Sequence, residues 1–228
     1  MTATRALAVA EAHMHDLSRR RAALAFLVAL PLVFYAAGAG HQGAHAVSNG
    51  TIATAFSVVG AGIFTELAAR PVDPRLLLAG YRPGELLTGR ILILAAGSAP
   101  ILVGTAGLMT VVSHPDRPWL LVLAMLAVGV VGVPLGLVIG LVMPRDLEAV
   151  LLLIGIVGVQ LSLDSSQRLN LLLPFGGPRR LVEAAVGVRS FGISGIVLTV
   201  AYGTALLVIA RIVAGRRAPR RVAVSEER

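Results

Sequence analysis

Residues 70–90, Arg-Pro-Val-Asp-Pro-Arg-Leu-Leu-Leu-Ala-Gly-Tyr-Arg-Pro-Gly-Glu-Leu-Leu-Thr-Gly-Arg, gather four arginines (Arg70, Arg75, Arg82, Arg90), two carboxylates (Asp73, Glu85) and three prolines. Guanidinium and carboxylate groups at this density do directional pairing chemistry, through charge-assisted hydrogen bonds within the segment or to another surface. The prolines limit the segment's freedom and so lower the entropy lost when it docks. Bond-making chemistry is poorly provided for. No Gly-x-Ser-x-Gly elbow, His-Glu-x-x-His helix or pair of intramembrane aspartates occurs. His41 and His45 have the i, i+4 spacing of a metal pair. Gly38, Gly40 and Gly43 argue for a loop there, and no carboxylate or thiolate lies nearby to complete a site. Arg145, Asp146 and Glu148 form a charged turn, which is not a site by itself.

The elements that must position these groups are apolar. The chain has 228 residues, of which 56% are hydrophobic and 14% charged. Its mean hydropathy is +0.84. Soluble domains are about a quarter charged, so this composition points to an all-α polytopic membrane protein. All 20 basic residues are Arg, and Lys and Cys are both absent. A P-loop needs Lys, and disulfides and thiolate metal sites need Cys. The chain therefore carries no ATPase site, and no metal or cofactor of its own is expected. The net charge of +8 comes from arginines that flank apolar runs with little aromatic interleaving, which argues for membrane orientation and against nucleic acid.

Six spans are predicted at 22–38, 51–68, 91–112, 119–142, 148–164 and 192–213. The first follows Arg19-Arg20-Arg21 without a cleavage site, so it reads as a retained span. With six spans the termini share a side, which also holds residues 69–90 and the basic tail 214–228. Fifteen of the 20 arginines fall on that side, and the positive-inside rule makes it cytoplasmic. Residues 1–21 read as an amphipathic helix on the inner surface, because Leu7, Ala10, Met14 and Leu17 recur at helical spacing. Residues 165–191 hold apolar patches too short to span, with Pro178 placed to begin a helix, and read as an outward re-entrant helical hairpin.

Within the spans, Gly132, Gly136 and Gly140 lie along one helix face, where small residues permit close helix approach. Asn49-Gly50-Thr51 reads as a turn and cap opening the second span. Polar groups are few, and Gln160 is the one whose amide most needs a partner in lipid. No charged residue lies deep in a span, which disfavours a proton or sodium relay and favours a hydrophobic or amphipathic cargo.

This layout resembles the permease subunits of the type-2 ABC exporter family over nearly the whole chain. Glu66 at the end of the second span, Pro71-Val72-Asp73, and Gly89-Arg90 at the third span stand where the family has its acidic residue, coupling segment and closing basic residue. Leu-Ala-Ala-Arg follows Glu66 where the family commonly has Gly-Thr-Leu. The resemblance implies a bacterial inner-membrane permease dimer, homomeric or heteromeric, working with separate ABC ATPase chains that hold ATP and magnesium. It implies that Glu66, Arg70, Asp73, Arg75, Arg82, Glu85 and Arg90 form the coupling surface. Short helices are expected around Arg75–Leu78 and Glu85–Leu87. The second and fifth spans would line the route, with Thr54, Ser57 and Gln160 as candidate pathway residues. The alternative is a non-transporting membrane anchor whose charged loop recruits a cytosolic partner.

Overall fold

A computed structural model describes residues 21–38, 43–162 and 168–217. The proposed amphipathic segment before Arg21, His41, Asp164 and most of the basic tail lie outside these described residues. Among the described residues every regular element is helical: α1 (Arg21–Gly38), α2 (Gly43–Ala69), α3 (Asp73–Leu78), α4 (Pro83–Ser113), α5 (Pro118–Val142), α6 (Asp146–Ser162), a 3₁₀ turn (Arg168–Leu171), α7 (Gly176–Ala185) and α8 (Ser194–Arg217).

A helix stands at each of the six predicted places. Four are long and apolar enough to cross a membrane, within His45–Ala69, Pro83–Ser113, Pro118–Val142 and Ser194–Arg216. α6 has 17 residues, a length of about 25 Å at 1.5 Å per residue, against a hydrocarbon core of about 30 Å. α1, with 18 residues, is hardly longer. Among the described residues four helices are thus long and apolar enough to cross a membrane, against the six spans expected.

Prolines open three helices, where the missing N–H costs nothing: Pro74 in the first turn of α3, Pro83 in that of α4 and Pro118 in that of α5. The Arg82 backbone N–H donates to Glu85 Oε2 at 2.9 Å and satisfies one donor at the entry to α4. Glu85–Leu87 is therefore the first turn of a 31-residue helix rather than a separate short one. α2 likewise begins at Gly43, earlier than expected, and Asn49-Gly50-Thr51 lies inside it instead of capping it. The hydroxyls there bond back along the helix, Thr51 to Val47 O and Thr54 to Gly50 O, each at 2.7 Å. His45 is consequently helical, contrary to the loop expected for it.

α5 is the hub, packed against α2, α4, α7 and α8. Gly132, Gly136 and Gly140 all face α2. A Cβ on Gly136 would lie 2.3 Å from Val59 O and 2.9 Å from Gly62 Cα, so the two backbones touch. A Cβ on Gly140 would lie 2.7 Å from Glu66 Cβ. The glycine face is thus a packing face inside one subunit. The opposite faces of α4 and α8 expose Val103, Val111, Val197 and Val200. Such apolar outer surface suits lipid and not water.

Of the predicted hairpin, the described residues 168–191 hold two helical pieces, the 3₁₀ turn and α7, with Pro178 in the first turn of α7. The Arg117 N–H donates to Ala185 O at 3.1 Å, which ties the end of α7 to the start of α5. One end of the bundle therefore carries α7. The other carries α3, between α2 and α4.

Candidate coupling site

At the α3 end, three of the predicted residues converge. Glu66 sits one turn before the end of α2, Asp73 opens α3, and Arg90 lies two turns into α4. Arg90 Nη1 donates to Glu66 Oε2 at 2.7 Å, and Arg90 Nη2 donates to Asp73 Oδ1. The Arg90 and Glu66 side chains are 4% and 2% exposed, and that of Asp73 is 25% exposed. One guanidinium fork therefore fastens three helices. Its planar spread of donors allows this, and an ammonium could not hold both carboxylates with the same geometry.

Arg70 completes the arrangement from the linker after α2. Its guanidinium donates to Gly140 O and Met143 O, and to Pro144 O at 2.7 Å. These are carbonyls at and beyond the C-terminus of α5, the negative end of that helix dipole. Arg70, Arg90, Glu66 and Asp73 line a cavity of about 230 Å³ that also touches Pro74 and Leu77 of α3. Two positive and two negative groups balance there, which is how charges survive burial.

The remaining predicted residues divide cleanly. Glu85 is buried and caps α4, whereas the Arg75 and Arg82 side chains are exposed. α3 has no buried residue, and Leu78 at its end is 88% exposed. Val72, Pro71 and Pro74 are exposed beside it. The element is thus a rigid knob, gripped at its base by Arg90 and presenting Leu78, Val72, Arg75 and Arg82 outward. Sequence reasoning named the charges of this segment and not its exposed apolar pair, Leu78 and Val72. An exposed leucine in a Leu-Leu-Leu run is legible only once the helix phase is known.

The candidate pathway residues are not gathered in one place. Thr54 and Ser57 are buried in the packed bundle at 0% and 1% exposure. Gln160 is near the α7 end of α6, where its backbone carbonyl accepts from Arg179 Nη1 at 3.1 Å. Elsewhere, Arg145 and Glu148 form an exposed pair at 3.5 Å, which contributes little to stability.

No protein-family model matches this sequence, and no curated protein matches it.

Proposed function

We propose that this chain is the membrane-spanning permease subunit of an ATP-driven ABC exporter in a bacterial plasma membrane. In this reading α1 and α6 join the four longer helices as spans, the α3 end faces the cytoplasm, and both termini lie on that side. ATP and magnesium are held by a separate ATPase subunit. α3 is the contact that passes the partner's motion into α2 and α4, and two permease copies form the working dimer. Thr54, Ser57 and Gln160 belong to the route for a hydrophobic or amphipathic cargo.

The observation that carries the reading is the combination at α3. A six-residue helix with no buried side chain is held rigid from beneath by a buried Arg90–Glu66–Asp73 bridge. Fastening an exposed knob to two membrane-length helices through buried charges is costly and serves no packing purpose. It does serve force transmission, because displacing the knob displaces the ends of α2 and α4 together. The exposed Arg75 and Arg82 suit an acidic groove, and Leu78 and Val72 supply apolar anchors.

The test is a mild-detergent pull-down of the tagged chain from its native membranes with mass spectrometry of the co-purifying proteins. A near-stoichiometric ABC ATPase is expected. It should be lost from the Leu78→Asp and Arg75→Glu variants, whose thermal unfolding in detergent should match the parent because neither side chain is buried. A stoichiometric partner without a nucleotide-binding site would instead support the anchor.

A further inference from the structure

The α7 end of the bundle holds a second cavity, of about 330 Å³, walled by α2, α5, α6 and α7. Ligand pockets run from about 300 Å³ upward, whereas one water occupies about 30 Å³ of liquid, so this space is on the scale of a small molecule. Most of its wall is apolar, including Ile52, Val128, Val157 and Phe175.

The polar groups of the wall restrict what can enter. Arg179 is already paired: its Nε donates to Glu183 Oε1 at 3.2 Å and its Nη1 to the Gln160 carbonyl. Glu183 also receives Arg189 Nε at 3.3 Å. Beside these charges, which share the wall with Ser48 and the exposed His45, an ionic guest would have to break a contact or bury an unpaired charge, so this part of the cavity favours neutral molecules. Thr51 has turned its hydroxyl back to Val47 O. Gln160 differs from all of these. It is one of the residues lining the cavity, it is 4% exposed, and its buried Oε1 has no hydrogen-bond partner among the described residues. A half-turn of the terminal torsion exchanges the amide oxygen and nitrogen, so the group can offer the cavity either an acceptor or a donor. A buried amide left unpaired is unfavourable, and a guest that pairs with it removes the penalty.

We propose that this cavity is a binding site for a small, neutral, largely apolar molecule whose one hydrogen-bonding group, an N–H or a hydroxyl, pairs with the Gln160 carboxamide. The site lies within one subunit at the end opposite α3 and does not rest on the exporter reading.

The test uses the purified full-length chain in phosphatidylcholine nanodiscs. N-phenylnaphthylamine, which fluoresces in apolar surroundings and carries a single N–H, is titrated in, and the signal of empty nanodiscs is subtracted. Saturable one-to-one binding is expected. Gln160→Leu should weaken it about tenfold, the worth of a hydrogen bond to a buried group. The phenyl naphthyl ether, which lacks the N–H, should bind parent and Gln160→Leu alike, and this also shows that the variant is folded. Val188 lines the cavity and is 64% exposed, so Val188→Trp should narrow the opening and weaken both probes without disturbing the core. A signal no greater than that of empty nanodiscs would overturn the proposal. So would equal amine affinity in parent and Gln160→Leu, or titrations indifferent to Val188→Trp.

Discussion

Arg90 is the residue with most at stake, because a guanidinium at 3% exposure depends on its carboxylates, above all on the buried Glu66. Truncating it takes from Glu66, itself 1% exposed, the guanidinium that balances its buried charge. Removing one partner of such a pair costs about 3–5 kcal/mol. Arg90→Met should lower the unfolding midpoint in detergent by that measure, and Arg90→Lys should recover only part, since one ammonium cannot span both acids. The double variant Glu66→Gln/Arg90→Met should be more stable than Arg90→Met alone, because the buried carboxylate is then neutralised together with the guanidinium it faced. If the double variant is instead as weak as the sum of the two singles, Glu66 and Arg90 are not coupled and the bridge is wrong. Asp73→Asn should cost much less, since that carboxylate is a quarter exposed and screened. At this scale the sequence named the charges but not how they pair. Glu66 and Arg90 are 24 residues apart, and only the register between α2 and α4 brings them together.

The same register depends, at the scale of elements, on the seam between α2 and α5. Gly136 lies against Val59 O and Gly62 Cα with no room for a methyl group. Gly136→Ala must push two helix backbones apart, an overpacking cost of about 1–3 kcal/mol that better helix propensity does not offset. Gly155→Ala, where an added Cβ meets nothing within 4 Å, is the matched control and should be neutral or slightly stabilising. Equal unfolding midpoints for the two variants would remove the seam from the account. The glycine face of α5 was legible because its spacing repeats every turn, whereas its mate Gly62 has no such repeat. Helix limits were less legible. Hydropathy marks the lipid-crossing part of a helix, so α4 was expected from 91 and in fact starts at Pro83, carrying Glu85 and Arg90 as part of the span's own helix. The glycines that suggested a loop before the second span include Gly43, which opens α2, while Gly50, expected in a capping turn, lies inside that helix against Tyr35 and Met109.

For the whole molecule, orientation decides whether the two ends can do what is claimed of them. In the proposed reading, the charge bias puts the α3 end in the cytoplasm, where an ATPase could reach it, and the α7 end outside. The chain has no cysteine, so single thiols can be introduced without background. Leu78→Cys and Val188→Cys are well placed, at 88% and 64% exposure on opposite ends of the bundle. In intact cells a membrane-impermeant maleimide should label Val188→Cys at once and Leu78→Cys only after permeabilisation. A tag fused before residue 1 reports on α1, whose last residue Gly38 packs against Ala46 and Asn49 near the start of α2. Protection of that tag together with Leu78 means that α1 crosses the membrane despite its length, as six spans require. Exposure of the tag outside means that it does not. The reverse thiol pattern, with Leu78→Cys labelled from outside, would remove any cytosolic ATPase from the reach of α3. It would end both the exporter and the anchor readings, because each needs the knob in the cytoplasm.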